Sequence, residues 1–289
     1  MTSILLSVPG VDDLDDTLRA MREWHVEGMP VQLHPGDLGW NWQYGPEALA
    51  VELRTWHRDG TVIAVGLLDS PTLLRMAIAP QVEHDEAFAE QFFSDVSQPE
   101  RGVLPEGEAV IEARFGDLVR SRLLGHGWVL DEPWTPLHRD LTEPIAACTL
   151  RIEIVGPERA DARAAVQRAS FVNSTFSVER WTAMTAGAPY ESARCLLGYD
   201  DEGTAVAVAT VWSAGPGRPG LLEPMGVHHD HRGRGYGRAI NLAAAAALRD
   251  MGASSITVCT TSSNTAAVAT YESAGFRRLP QVPDLRRPA

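Results

Sequence analysis

The stretch LLEPMGVHHDHRGRGYGR, residues 221–238, decides the fold of this chain. Its apolar run Leu221–Val227 predicts a strand, and the alanine-rich segment Tyr236–Met251 predicts a helix. Between them lies the turn Arg232–Gly237, whose glycines allow a ligand to approach the backbone closely. A helix N-terminus adds partial positive charge, and arginines add formal charge. These arginines are Arg232, Arg234 and Arg238. The stretch therefore predicts an anion site, most simply one for a pyrophosphate.

Two common phosphate-binding loops are excluded by the residues themselves. The chain contains no lysine, so it has neither a P-loop lysine nor the amine that Schiff-base and pyridoxal chemistry requires. The spacing of Gly233, Gly235 and Gly237 differs from the dinucleotide fingerprint, and no acid follows at the required distance. What remains is the pattern Arg-x-x-Gly-x-Gly over 232–237. Taken alone, this pattern also fits a helix entry that binds nothing.

Strands and helices alternate through the second half of the chain, which predicts an α/β layered domain. A helix begins after the predicted N-cap Ser177, and Gly252 and Gly275 each end a helix. The predicted strands are Leu150–Val155, Cys195–Tyr199, Ala205–Trp212, Leu221–Val227 and Ser255–Thr260. The predicted helices are Asp161–Phe171, Ser177–Met184, Tyr236–Met251 and Asn264–Ala274.

The first half repeats this order with different residues, after an N-terminal apolar run that predicts a strand rather than a signal peptide. A helix over Leu14–Glu27 precedes a hairpin of Ala48–Trp56 and Val62–Leu68, which turns at Asp59-Gly60. Further elements are predicted at Leu73–Ile78, Glu86–Ser97, Ala109–Arg114 and Leu118–His126. The segment LLRMAIAP at 73–80 mirrors LLEPMGVH at 221–228. The repeat indicates a duplication, with one domain over 1–144 and another over 145–289.

The second half resembles the GNAT superfamily of N-acetyltransferases. The strand, the Arg-x-x-Gly-x-Gly turn, the strand Ile256–Cys259, Asn264 and the segment Tyr271–Phe276 follow one another as in that family. The resemblance covers about residues 150–280. It implies two GNAT-like domains in an α/β (α+β) fold, each a mixed, mostly antiparallel sheet flanked by helices. The tandem layout is similar to that of the mycothiol synthases.

The first copy is expected to be degenerate. Where the second half has its Arg/Gly turn, the first has Gln81–Glu86, which lacks glycine and carries acids. The position that matches Tyr271 is Leu123, which cannot act as an acid. We therefore predict one active site per chain, in the second half.

The resemblance implies a site for acetyl-CoA as acyl donor. Tyr271 is the candidate general acid, and Glu223 is the candidate base on the strand face expected to carry residues 225 and 227. The backbone N–H of Val227 is the candidate oxyanion donor. The implied cofactor-binding residues are Met225, Gly226, Val227, Arg232, Gly233, Arg234, Gly235, Tyr236, Gly237, Arg238 and Asn264.

Each of these residues has a plainer alternative. Tyr271 can be a packed core tyrosine, Asn264 a helix cap, and Glu223 a group that only orients the acceptor. The histidines beside the turn, His228, His229 and His231, are interpreted as surface residues, and no metal site is predicted. The candidate acceptor walls are Phe176 and Trp181, with Phe171, Trp40 and Trp42 as further aromatics; such aromatics are more often a domain-interface plug.

Charge is distributed unevenly over the chain, whose formal net charge is −13. Residues 1–145 hold 25 acids and 10 arginines, whereas residues 146–289 hold 13 acids and 15 arginines. The acidic first half disfavours nucleic acid and favours a cationic acceptor, although excess acid can also serve solubility alone. Three widely spaced cysteines, Cys148, Cys195 and Cys259, predict neither disulfides nor a zinc site.

The sequence thus predicts a cytoplasmic enzyme that transfers the acetyl group of acetyl-CoA to the amine of a small, cationic acceptor. No nucleic acid or membrane partner is expected, and the chain is expected to be a monomer or homodimer. A protein or peptide N-acetyltransferase and a non-enzymatic acyl-CoA sensor remain open as alternatives.

Overall fold

The computed structural model of the chain describes residues 3–289. The helices are α1 Leu14–Trp24, α2 Pro35–Asn41, α3 Pro46–Glu52, α4 Glu86–Ser97, α5 Asp117–Gly125, α6 Ala160–Ser170, α7 Val178–Thr185, α8 Tyr236–Asp250 and α9 Thr265–Ser273. The strands are β1 Ile4–Ser7, β2 Leu53–Arg58, β3 Thr61–Ser70, β4 Leu73–Ile78, β5 Ala109–Glu112, β6 Val129–Asp140, β7 Arg151–Ile154, β8 Ala193–Tyr199, β9 Ala205–Trp212, β10 Pro219–Val227, β11 Ser255–Thr261, β12 Arg277–Arg278 and β13 Val282–Arg287. This alternation confirms the predicted α/β (α+β) class.

Two compact units share the chain, and they do not follow its two halves. The first unit contains Met1–His34, Pro46–Trp134 and Gln281–Ala289, and the second contains Pro35–Gly45 and Thr135–Pro280. The predicted division at residue 144 therefore differs from the observed one, because α2 belongs to the second unit and β13 to the first. Both placements depend on contacts between residues far apart in sequence, which a local pattern does not encode.

The first unit is built on a mixed, mostly antiparallel sheet. Its strand order is β1-β2-β3-β4-β5-β13-β6, in which β4 and β5 form the parallel pair. That parallel pairing is confined to Leu73–Arg75 on β4 and Val110–Glu112 on β5. The predicted hairpin begins later than expected, since residues 46–52 form α3 rather than strand. The turn at Asp59-Gly60 lies where it was predicted, with both residues at positive φ.

The second unit is a sheet with a hydrophobic core on each face. Its strand order is β6-β11-β10-β9-β8-β7, with β12 beside β6 and one parallel pair, β10 with β11. Residues of α8 and α9 form one core, which includes Ile240, Val268 and Tyr271. Residues of α6 and α7 form the other core, around Trp212. The sheet is therefore covered by helices on both faces, as the sequence predicts.

The segment 35–45 packs within the second unit because its glycines allow a close approach. A Cβ atom at Gly36 or at Gly39 would lie 2.4 Å from the Trp212 side chain. Trp40 stacks on Phe176 at 5.3 Å between ring centroids. Trp42 covers Gly187, where a Cβ atom would lie 2.5 Å from the indole. This segment is thus an integral wall of the second unit, although it comes from the first part of the sequence.

Within residues 3–289, no helix combines the length and the hydrophobicity that crossing a bilayer requires.

Candidate functional site

A cleft of about 580 Å³ lies in the second unit between the end of β10 and the N-terminal turns of α8 and α9. It gathers ten of the eleven residues for which a cofactor contact is predicted. These are Met225, Gly226, Val227, Arg232, Gly233, Gly235, Tyr236, Gly237, Arg238 and Asn264. The remaining one, Arg234, is exposed and does not line the cleft. Phe171, proposed as an acceptor wall, lines this cleft instead.

The edge of β10 towards β11 is open along the cleft. The register of the pair β10–β11 covers only Pro219–Leu221. On the other side of β10, Gly226 pairs with Val208, and the N–H of His228 donates to the carbonyl of Val206 at 2.9 Å. Because ladder bonds alternate along an antiparallel pair, the backbone groups of Met225 and Val227 point towards the open edge.

A β-bulge interrupts β10 just before this open edge. Leu222 pairs with Val211 and Met225 pairs with Ala209, so β10 holds one residue more than β9 between these points. An extra residue changes which face the next side chains point to. The simple alternation used to place Glu223 on one face with residues 225 and 227 counts through this bulge, so the shared face stays a prediction.

The N-terminus of α8 is left open by two glycines in the left-handed region. Gly233 has a φ of 77° and Gly235, the N-cap residue, a φ of 82°. No side chain caps this helix end within the described part of the chain. Its first N–H groups are thus available to an external anion. Gly226 has a different role, since a Cβ atom there would lie 2.5 Å from Ser170 of α6.

Two arginines at the rim are held by backbone carbonyls. Arg232 donates to Ser170 at 2.8 Å and to Val227 at 3.4 Å. Arg238 donates to Ser273 at 2.9 Å. Neither contact neutralises the guanidinium charge. Both side chains therefore keep positive charge beside the open N-terminus of α8.

Tyr271 lies in the core beneath the sheet, with 7% of its surface exposed. Burial, and next the charge of Glu223, raise the pKa of its phenol. Glu223 is thus near enough for its charge to act on this phenol, although neither residue lines the cleft. Cys259 also raises the pKa of Tyr271, so this thiol lies near the same phenol.

Asn264 has the predicted cap geometry and also lines the cleft. Its side-chain oxygen accepts a hydrogen bond of 3.2 Å from the N–H of Ala267. Beside the turn, His228, His229 and Asp230 could offer three metal-ligand atoms within 4.8 Å of one another. His229 and Asp230 are exposed, and exposed groups are often this close without a metal ion.

The structure corrects the placement of two predicted acceptor walls. Phe176 and Trp181 are 2% and 5% exposed and belong to the core under α6 and α7. Phe176 is covered by Trp40 on one side, and the guanidinium of Arg163 lies 5.1 Å from its ring centroid. These aromatics support the fold of the second unit in the described structure and are not cleft surface.

The corresponding features of the first unit are occupied by its own residues. The carboxylate of Asp85 caps α4 by accepting from the N–H of Phe88 at 2.9 Å, and it pairs with Arg58 at 2.5 Å. At the edge of β4, the N–H of Leu33 donates to Met76 at 2.9 Å. The carboxamide of Gln32 accepts from the N–H of Ile78 at 3.1 Å. In the first unit, the side chain of Asp85 thus caps the N-terminus of α4, and the segment with Gln32 and Leu33 bonds to the backbone of β4.

Several cleft residues were not predicted from the sequence. They are Ser170, His231, Ala266, Ala267, Thr270 and Ser273. The residues Ala266, Ala267, Thr270 and Ser273 follow Asn264 along α9, of which Ser273 is the last residue. Helical periodicity from Asn264 could have indicated some of them. Ser170 carries no such signal, because only the tertiary fold brings the end of α6 to β10.

Comparisons with known proteins agree with this geometry. Residues 165–276 match the model of the Acetyltransferase (GNAT) family. No curated protein matches the sequence. Among solved structures, a GCN5-related N-acetyltransferase from Sphaerobacter thermophilus superposes with a TM-score of 0.57 at 18% identity, over 98% of this chain and 95% of that one.

Two further structures share the layout over nearly the whole chain. The tandem GNAT protein from the clavulanic acid biosynthesis pathway has a TM-score of 0.63 at 13% identity, covering 99% of this chain and 98% of its own. FemX has a TM-score of 0.61 at 11% identity, covering 98% and 96%. At these identities the likeness concerns the fold.

Proposed function

We propose that the chain is an N-acetyltransferase, because its residues 165–276 match the Acetyltransferase (GNAT) family and its fold is similar to that of a tandem GNAT protein. It transfers the acetyl group of acetyl-CoA to the amine of a small, cationic acceptor, by direct attack in a ternary complex. The observation that carries the proposal is the cleft in which the uncapped N-terminus of α8 meets the open, bulged edge of β10.

The donor fits the cleft in two places. Its pyrophosphate is anionic, and the open N–H groups at Gly235, together with Arg232 and Arg238, offer it partial and formal positive charge. Its pantetheine arm is extended and carries amides, so it can add to the open edge of β10 like a further strand. Met225 and Val227 present their backbone groups there. When bound, the thioester supplies an activated acyl carbon.

The residues around that carbon have distinct tasks. The N–H of Val227 is available to the oxygen that becomes negative when the amine attacks, and the carbonyl of Val227 is already bonded to Arg232. Glu223 accepts the amine proton, directly or through water, so that the acceptor attacks as a neutral amine. Glu223 belongs to the bulge of β10, which precedes the open edge along the strand.

Tyr271 donates a proton to the departing thiolate. The raised pKa of its phenol keeps the proton in place at physiological pH. A phenol is a weaker acid than a thiol, whose ordinary pKa is about 8.5, so the free thiolate would not take this proton fully. Transfer of the proton is therefore concerted with cleavage of the carbon–sulfur bond, as negative charge develops on the sulfur.

The acidic first half of the sequence, with 25 acids against 10 arginines in residues 1–145, favours a cationic acceptor. The test is thiol release from acetyl-CoA against a panel of amino-sugars, polyamines, antibiotic amines and peptides. Amine-dependent release with a small cation supports the proposal. Release with peptides alone would indicate a protein acetyltransferase. Tight acetyl-CoA binding without release by any acceptor would indicate a sensor.

A further inference from the structure

Asn241 is a buried amide whose polar atoms have no partner. It lies on α8 and is 0% exposed. Neither its Nδ2 nor its Oδ1 makes a hydrogen bond to any residue in the range 3–289. Buried polar atoms in native proteins are nearly always bonded, so an orphaned donor and acceptor together call for an explanation. One explanation is a ligand that supplies both partners.

Asn241 lies on the side of α8 that faces β10. At Gly237, one turn earlier, a Cβ atom would lie 2.7 Å from Thr270 and 3.8 Å from Val227. At Leu248, two turns later, the side chain reaches the start of β10, 2.5 Å from the Cβ position of Gly220. Residues 237, 241 and 248 share one helix face. Asn241 therefore faces β10 between Gly220 and Val227.

That part of β10 contains the bulge and the start of the open edge. Met225 and Val227 pack on the same core cluster as the residues of α8 around Asn241. Met225 also lines the cleft, as does Gly237 on α8. Asn241 is thus one helical turn inward from the lining of the cleft.

The two polar atoms of the Asn241 side chain determine which ligand groups can bond to it. Its Nδ2 needs an acceptor and its Oδ1 needs a donor. A thioester offers only an acceptor and would leave Oδ1 unsatisfied. The carbonyl and the N–H of a trans secondary amide point in opposite directions, so one carboxamide bonds to the carbonyl of one amide and to the N–H of another. The pantetheine arm, which we place along β10, carries such amides.

We propose that the carboxamide of Asn241 binds the pantetheine arm, with its Nδ2 donating to the carbonyl of one amide and its Oδ1 accepting from the N–H of the other, and so sets how deep the acyl donor enters the cleft. This inference rests on the proposed function. It adds a donor-binding residue that lies outside the glycine-rich turn, on the inward side of the helix. A buried water that satisfies the same two atoms is the competing outcome.

The experiment measures binding of coenzyme A and of adenosine 3′,5′-bisphosphate, which lacks the pantetheine arm, by calorimetry. Asn241→Leu should weaken coenzyme A about tenfold, as expected for one lost bonding pair, and leave the bisphosphate unchanged. Ser255→Ala is the matched control, because Ser255 is also buried without a bond to its hydroxyl in the described structure. Ser255 lies where β10 and β11 are still paired. The Ser255→Ala variant should therefore bind coenzyme A and the bisphosphate with wild-type affinity.

Asn241→Met and a coenzyme A analogue with an ester in place of the amide that donates this N–H test the same contact independently. The wild type should bind the ester analogue more weakly than coenzyme A, and Asn241→Met should bind the two alike. Equal affinity of the wild type for both, or wild-type affinity of Asn241→Leu with a raised Tm, would overturn the inference in favour of water. A wild type that binds neither coenzyme A nor the bisphosphate would instead contradict the proposed function.

Discussion

The indole Nε1 of Trp212 donates a hydrogen bond of 2.7 Å to the backbone carbonyl of Glu223. This carbonyl belongs to the bulge of β10, where the ladder with β9 is interrupted. Trp212 is itself 1% exposed and is held from the other side by Gly36 and Gly39. The shape of the strand at the reacting end of the cleft therefore depends on one indole.

Trp212→Phe tests this dependence. The substitution keeps an aromatic ring but removes the donor, which leaves the Glu223 carbonyl without its indole bond. We expect turnover to fall about tenfold or more, because small misplacements at the reacting carbon are costly. Coenzyme A affinity should change little, since the turn at 232–237 is unaffected. Steady-state kinetics measure turnover, and calorimetry measures coenzyme A affinity. An equal loss of turnover and affinity would mean that the indole supports the whole cleft.

Tyr271→Phe should reduce kcat by about 10²–10⁴ with little effect on acetyl-CoA binding, because only proton donation is lost. Since burial raises the pKa of this phenol, the wild-type rate should show no loss from tyrosine ionisation up to pH 10. Initial rates at saturating substrates over pH 6–10 measure both effects. Unchanged turnover in the variant would remove Tyr271 from the mechanism.

Gly235→Val should abolish binding of coenzyme A. The residue has a φ of 82°, which a β-branched side chain tolerates poorly, and the added atoms would stand before the N-terminus of α8. Gly217→Val is the control, because Gly217 has a φ of 71° in a loop that does not line the cleft. Both variants should lose some stability, and only the first should lose calorimetric binding. Normal affinity in Gly235→Val would contradict a pyrophosphate site.

Asp284→Asn tests a buried carboxyl of the first unit. Burial, and next the charge of Glu112, raise the pKa of Asp284 to about 7, compared with 3.8 for an ordinary aspartate. The folded state therefore retains a proton that the unfolded state releases. The contribution of Asp284 to stability is complete below about pH 4 and is lost as the pH rises to about 7.

The asparagine variant cannot ionise, so its stability relative to the wild type should improve across that interval by at most about 1.4 kcal/mol per pH unit. Thermal unfolding at pH 4, 6 and 8 measures the trend, and the first unit's transition is the relevant one. A variant whose Tm difference from the wild type is the same at all three pH values would show that Asp284 is ionised throughout.

Local patterns predicted the regular elements well. Leu73–Ile78, Glu86–Ser97 and Ala205–Trp212 have the predicted bounds, because their periodicity and flanking turns agree. Ser177 caps α7 as predicted, accepting from the N–H of Arg180 at 3.3 Å. The glycine-rich turn could also be recognised from the sequence, because the positive φ angles of Gly233 and Gly235 favour glycine independently of tertiary contacts.

Features set by distant contacts could not be predicted in this way. The bulge of β10 depends on its register against β9, and α2 is helical where it packs on Trp212. Residues 48–52 carry strand-like apolar residues and yet form α3. Phe176 and Trp181 were predicted as cleft walls because they are aromatic residues near the predicted site. Their burial depends on Trp40, which is more than a hundred residues away in the sequence.

The first unit fills its helix end and strand edge with Asp85, Gln32 and Leu33, which are covalently part of the chain. Because these groups are covalently attached, their contacts do not depend on the concentration of any free molecule in the cell. On the proposed function, the second unit binds a diffusing molecule at the same positions, and this binding would stabilise the unit in proportion to the logarithm of the molecule's concentration. Of the two related folds in one chain, only the second would therefore gain thermal stability as the acyl donor accumulates.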